Sequence, residues 1–157
     1  MAGILKPIAA LLVAAAPLAS GGAFETEMLA AHNLVRDGVN VPPLTWSARL
    51  ALAARKWAEA LAANGRFEHQ KHRVYGENLY EARGSEASPT RVVAAWAAES
   101  ANYDYRSNGC NGVCGHYTQI VWRATREVGC AVVRKERRQV VVCEYAPPGN
   151  WQGERPW

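Results

Sequence analysis

Between Glu25 and Arg36 the apolar positions Met28, Leu29 and Val35, with His32 among them, return at the interval of one helix face, and Gly38 follows as a stop. This predicts a first helix. Pro42-Pro43 enforces an extended connection, after which Ser47 stands at the N-cap of a run carrying Leu50, Ala54, Trp57 and Leu61. Gly65 closes that second helix in the position glycine favours past a last turn. Residues 66–88 are polar, rich in Gly and Glu, and keep neither the helical nor the strand period. They are expected to be loop, with at most one short helical turn. Ser88-Pro89 is the N-cap and first-position pair of a third helix, with Val92, Val93, Trp96 and Glu99 on or near one face. Helix propensity lapses over residues 102–111.

The last third changes character. Residues 117–122, 128–134 and 139–145 are short segments rich in Val, Ile, Thr and aromatics, separated by turn residues, and read as three strands. Helices grouped ahead of strands predict an α+β fold in which helices cover a mostly antiparallel sheet. If Cys130 faces Cys143, the same pairing puts residues 135–138 at a hairpin tip. The one dense basic run, Arg134-Lys135-Glu136-Arg137-Arg138, falls there independently and reads as a solvated turn.

One segment stands apart from this scheme. Lys6 precedes an almost uninterrupted apolar run over residues 7–18, and Ala19, Ser20, Gly21, Gly22 and Ala23 are small, which is the layout of a secretory signal. About a dozen apolar residues fall short of the roughly 20 that span a bilayer, so no stable membrane span is expected. The chain divides on this reading into a leader over 1–22 and one domain over 23–157. Cleavage is plausible at several places between Ala19 and Ala23. The product would be secreted, extracellular, or periplasmic in a bacterium.

Export changes how the four cysteines read, because disulfides persist outside the cytosol. Four cysteines allow three pairings. The short Asn111-Gly112-Val113 interval suggests Cys110 with Cys114, leaving Cys130 for Cys143. No Cys-x-x-Cys pair supports a structural zinc module. The net charge is +4, one less without Lys6, and there is neither the broad basic face nor the module that nucleic-acid binding requires.

Four histidines are candidates for chemistry: His32, His69, His72 and His116. A lone histidine is more often a surface or core residue than a ligand, but His69 precedes Glu77 across a loop and Glu99 lies on the third helix. Imidazole nitrogens and carboxylate oxygens are the ligands that zinc and similar divalent ions accept in open sites.

These residues sit inside recognisable motifs. Gly115-His116-Tyr117-Thr118-Gln119-Ile120-Val121-Trp122 resembles the first signature of the CAP superfamily, the cysteine-rich secretory, antigen 5 and pathogenesis-related proteins. Val142-Cys143-Glu144-Tyr145-Ala146-Pro147-Pro148-Gly149-Asn150 resembles the second, His32-Asn33-Leu34-Val35-Arg36 the third and Gly76-Glu77-Asn78-Leu79 the fourth. The resemblance implies a three-layer α-β-α sandwich and the convergence of His69, Glu77, Glu99 and His116 on one cleft as metal ligands, with Tyr117 and Asn78 lining it. Trp96, Glu99, Tyr103 and Tyr105 match the family spacing around its helical glutamate. It implies the pairings Cys110 with Cys114 and Cys130 with Cys143. His32 falls outside the four and reads as structural; His72 has no motif. Residues 111–117 and 149–157 are similar to the plant pathogenesis-related group 1 branch. That branch usually has six cysteines, and a short, alanine-rich chain with four suits a bacterial member.

Three functions follow as expectations. The first is a secreted binding module, taking Zn2+ or another divalent cation at the four residues and a sterol or other lipid near the helices, in defence or host interaction. The second is a metal-assisted hydrolase, for which Glu and His can do acid and base work in a dry cleft. No Gly-x-Ser-x-Gly or His-Glu-x-x-His motif is present, and Ser100 and Thr118 are the only nucleophile candidates. The third is a structural or signalling protein whose four polar residues only fix the shape of the cleft.

Overall fold

In the computed structural model, which describes residues 22–157, the chain passes through α1 (Ala23–Asp37), β1 (Thr45–Trp46), α2 (Ala48–Asn64) and β2 (Gly76–Arg83). It continues through α3 (Pro89–Ala97), extended by a 3-10 turn (Ala98–Asn102), then β3 (Tyr103–Asp104), β4 (Gly109–Cys110), α4 (Gly115–Ile120), β5 (Glu127–Lys135) and β6 (Arg138–Ala146). The leader expected over 1–22 lies, but for Gly22, outside the described residues. Among the described residues no helix is long and apolar enough to cross a membrane.

Four strands form the central sheet in the order β1-β5-β6-β2, with β1 parallel to β5 and the other pairs antiparallel. Alternation along β6 divides the core between its two faces. Val140 and Val142 pack with Leu79, Ala131 and the Ala54, Ala58 and Leu61 face of α2. Val141, Cys143 and Tyr145 point the other way, into a cluster with Met28 of α1, Val92, Val93 and Trp96 of α3, and Tyr117 and Ile120 of α4. Helix, sheet and helices make the three-layer α-β-α sandwich that the motifs imply.

The β5–β6 register pairs Cys130 with Cys143 and Lys135 with Arg138, leaving Glu136-Arg137 as the turn. Both disulfides are formed, Cys130 to Cys143 and Cys110 to Cys114.

Four readings need correction. The stretch expected to be loop over 66–88 contains β2, whose period is hidden because Glu77 and Asn78 are buried polar residues. The strand expected over 117–122 is instead the end of the helix α4, with Val121 as its C-cap and Trp122 beyond it. The β-rich composition misleads there because the helix start is fixed by a carboxylate distant in sequence, described below. Ser47 is the N-cap residue of α2 but makes no side-chain capping bond. Arg138, read as part of a solvated turn, is buried, because Glu81 of β2 and the carbonyls of Leu61 and Arg66 take its guanidinium.

Arg36 ties α1 to the connection before β1 and to the segment from the end of α4 to β5. Fully buried, it donates Nε to Pro42 O at 2.7 Å, Nη1 to Ile120 O and Trp122 O at 2.7 and 2.9 Å, and Nη2 to Thr125 O at 3.2 Å. Five donors in a planar fork suit a cluster of orphan carbonyls in a way no other side chain does. Burial lowers its pKa to about 10, which still leaves it charged at neutral pH.

Candidate functional site

Glu77 opens the edge strand β2 and stands directly across from Glu144 on β6. Both side chains are buried, and like charges set opposite one another in a sheet repel. The loop after α2 supplies the remedy. Gln70 donates Nε2 to Glu77 Oε2 at 3.1 Å and to Glu144 Oε1 at 2.7 Å, and its backbone N–H reaches Glu77 Oε1 at 3.2 Å. Burial first, and then the Glu77 charge, pushes the Glu144 carboxyl up to about 8, so it holds its proton at neutral pH. The remaining partner of Glu77 is Nδ1 of His69, 2.5 Å from Oε1.

A second pair has the same design. Glu99 lies on the 3-10 turn that continues α3, and its Oε1 is 2.6 Å from Nδ1 of His116. Its Oε2 accepts the backbone N–H groups of His116 and Tyr117 at 3.0 and 3.3 Å. Cys114, the N-cap residue of α4, makes no side-chain cap, so Glu99 does from a distance what an N-cap carboxylate does locally. The Trp96 indole stacks on the His116 ring, with centroids 6.0 Å apart and planes 14° apart, and gives its N–H to Leu79 O.

The pairs flank the start of β2, because successive strand residues face opposite sides. Glu77 faces Glu144 and the loop after α2, while Asn78 faces α4, donating Nδ2 to His116 O and to Tyr145 Oη, both at 3.1 Å. Gly76 is required beside them: a Cβ there would collide with the Gln119 amide of α4. Tyr145 Oη also meets Nε2 of His32 at 2.8 Å, and His32 Nδ1 meets Met28 O. His32 is therefore a core residue, held neutral by burial, which lowers its pKa to about 4. Tyr117 packs among Tyr103 and Trp157, and His72 is exposed.

His69 is thus brought to Glu77 and His116 to Glu99. Among the described residues no three His, Cys, Asp or Glu side chains are grouped to hold a metal ion. Each glutamate has three protein partners: His69 Nδ1 and two Gln70 N–H groups for Glu77, His116 Nδ1 and two backbone N–H groups for Glu99. Each imidazole has its Nδ1 committed to a carboxylate, and neither Nε2 has a protein partner among the described residues. The His69 side chain is 46% exposed and that of His116 26%. A carboxylate on one ring nitrogen fixes the tautomer and raises the basicity of the other, as outer-shell carboxylates do for metal-binding histidines. Imidazole nitrogens of this kind are donors that a divalent cation accepts. Of the candidate nucleophiles, the Thr118 hydroxyl is engaged with Cys114 O and Asn150 Oδ1, and Ser100 is exposed on the 3-10 turn.

Sequence reasoning did not single out Gln70 or Glu144 as parts of this site. Gln70 carries no signal in a polar loop. Glu144 did carry one: a carboxylate between Val140-Val141-Val142-Cys143 and Tyr145, in a strand buried on both faces, needs a specific partner.

The family model described as the cysteine-rich secretory protein family, CAP, matches residues 29–145. Pathogenesis-related protein 1 of Arabidopsis thaliana is 44% identical over 132 residues, 83% of this chain and 81% of that protein. Pathogenesis-related protein 1A of Nicotiana tabacum is 44% identical over 136 residues, 85% of this chain and 80% of that one. Among solved structures, venom allergen-like protein 4 of Schistosoma mansoni superposes with a TM-score of 0.70 at 26% identity, covering 87% of this chain and 94% of that one. NaASP2, solved with Zn2+, gives 0.69 at 23% identity over 85% and 84% of the two chains. The α-β-α layers, the paired cysteines and the extent of these matches agree, and the chain belongs to the CAP family of cysteine-rich secretory proteins.

Proposed function

We propose that this protein is exported and acts as a binding module that takes a divalent cation, with zinc the first to test, through Nε2 of His69 and Nε2 of His116. Glu77 and Glu99 orient the rings and do not themselves ligate. The observation that supports this most is the shared arrangement of the two pairs, each with Nδ1 held by a carboxylate that also accepts two N–H donors of the protein. Two protein ligands leave coordination positions for water or for an oxygen-bearing partner, and a cation there would supply a Lewis-acidic centre. The similarity in fold to NaASP2, solved with Zn2+, makes zinc the cation of choice. Similarity to pathogenesis-related proteins supports a role in defence or host interaction, outside the cell.

The test is zinc titration of the chain without its leader, followed by calorimetry. Stoichiometric binding that disappears in the double variant His69→Ala, His116→Ala is expected; full affinity in that variant would refute the proposal. Glu77→Gln and Glu99→Gln should each weaken binding by about 10- to 100-fold without abolishing it.

A sterol or other lipid is a second ligand class, favoured by an apolar groove of about 310 Å³ beside α4, lined by Tyr103, Trp122, Trp151 and Pro156. A sterol pull-down above a control protein, reduced by Trp151→Ser, tests it. The hydrolase reading draws less support from the site, since the Thr118 hydroxyl is engaged within the fold. Turnover of peptide or ester substrates that vanishes in Glu99→Gln would restore it.

A further inference from the structure

At the end of the sheet away from the His/Glu pairs lies a cavity of about 640 Å³, lined by the last residues of α2 (Ala62, Ala63, Asn64), Gly65, the end of β2 (Arg83, Gly84) and the β5–β6 turn. Glu77 and Arg83 are six residues apart on one strand, so about 20 Å separates this cavity from the imidazoles. Four cations line it, Arg83, Lys135, Arg137 and Arg138, against one carboxylate, Glu136. Their commitments differ. Arg138 is spent on Glu81 and on the carbonyls of Leu61 and Arg66. Lys135 reaches Ala63 O at 3.5 Å. Between them they mask the negative end of the α2 dipole, which would otherwise repel an anion here. Arg83 gives only Nε, to Glu81 at 2.7 Å, and keeps both Nη groups.

Arg137 is the unexplained group. Its guanidinium makes no hydrogen bond or ion pair among the described residues, yet it is not simply free in solvent. It lies over Gly84, where a Cβ would stand 3.3 Å from Nη2. Gly84 has φ +83, a conformation that favours glycine, and its N–H bonds Arg137 O at 2.9 Å. The turn and the end of β2 thereby place Arg137 and Arg83, both exposed, in the wall of one concavity.

We infer that this cavity is a second binding site, for a phosphate monoester, with the guanidinium of Arg137 and the free Nη groups of Arg83 as its main donors and Lys135 as an added charge. Guanidinium forks match the oxygens of a phosphate group, and charge-assisted bonds of this kind are the stronger ones. A concave wall and three cations from two segments, Arg83 of β2 and Lys135 and Arg137 of the β5–β6 hairpin, favour a ligand with more than one phosphate over a single inorganic ion. Such a group can come from a soluble phosphorylated polyol or from the headgroup of a phosphorylated inositol lipid.

The test is NMR titration of the ¹⁵N-labelled chain without its leader, at low salt, with inorganic phosphate, with free inositol trisphosphate, and with phosphatidylcholine vesicles with and without a phosphatidylinositol bisphosphate. Shifts centred on Arg83, Gly84 and residues 135–137 are expected, tighter for the trisphosphate than for inorganic phosphate and weakening as salt rises. The double variant Arg83→Gln, Arg137→Gln, both residues exposed, should fold normally by circular dichroism and bind at least about tenfold more weakly. The double variant His69→Ala, His116→Ala should bind as the parent does. Binding to the vesicles beyond that to the free trisphosphate identifies the lipid source; equal or weaker vesicle binding identifies the soluble one. Undiminished affinity in the arginine variant, shifts scattered over all exposed arginines, or no response to any phosphate would overturn the assignment.

Discussion

Glu99 serves His116 twice, holding its imidazole Nδ1 with one carboxylate oxygen and its backbone N–H with the other. The helix that carries the imidazole therefore starts where it does because of the residue that orients the imidazole. Fold and site share one carboxylate, 17 residues away in sequence.

This coupling sets the first expectation. Glu99→Gln keeps the shape but removes the charge at the start of α4 and one acceptor of the pair. Urea denaturation should show a loss of about 1–2 kcal/mol, the range for an N-cap with a charge-assisted bond. No measurable loss would contradict the capping role.

Glu144 should make stability depend on pH in an unusual direction. Its carboxyl is protonated in the folded chain up to about pH 8, whereas the ordinary value for a glutamate is 4.5. Below 4.5 both states hold the proton. As pH rises from there, only the unfolded chain releases it, so stability falls progressively and levels off above about 8. Glu144→Gln should be the more stable protein near neutrality and should lose that slope. Chemical denaturation at a series of pH values measures both, and an unchanged slope in the variant would refute the assignment.

His32 acts in the opposite direction. Burial keeps it neutral down to about pH 4, against 6.5 for an ordinary histidine. Its contribution is present above 6.5 and is lost as pH falls toward 4, because the unfolded chain gains a proton that the core excludes. Acid destabilisation should therefore begin near pH 6.5 and be reduced in His32→Gln, measured by the same denaturation series.

Arg36→Met should be among the most damaging substitutions. It strands the carbonyls of Pro42, Ile120, Trp122 and Thr125, and each buried acceptor left without a partner costs about 1–3 kcal/mol. Failure to fold, or a loss above about 3 kcal/mol in urea, is expected. A mild effect would mean that water replaces the guanidinium.

Much of this architecture is legible in the sequence, for identifiable reasons. The β5–β6 hairpin has alternating Val-rich strands, a polar turn and two cysteines whose pairing fixes one register, and the structure has that register. The first three helices show their apolar faces and two of their stops. The edge strand β2 does not announce itself, because its buried positions are Glu77 and Asn78, whose partners come from three other segments. Nor does α4, where Tyr117, Thr118 and Ile120 favour a strand by composition while a distant glutamate imposes a helix. For the site, motif resemblance names four residues, but the division into two His–Glu pairs and the buried Glu77–Gln70–Glu144 cluster are products of strand register.

The central claim is that the imidazoles, and not the carboxylates, meet a cation, and that they do so through Nε2. Two-dimensional ¹H–¹⁵N NMR of the histidine rings during zinc titration reads each ring nitrogen separately. Zinc should shift Nε2 of His69 and His116 strongly, at one equivalent, while their Nδ1 signals keep the signature of a proton shared with carboxylate and the His32 and His72 rings do not respond. Coordination through Nδ1, or saturating zinc binding that leaves both rings unmoved, would contradict the account.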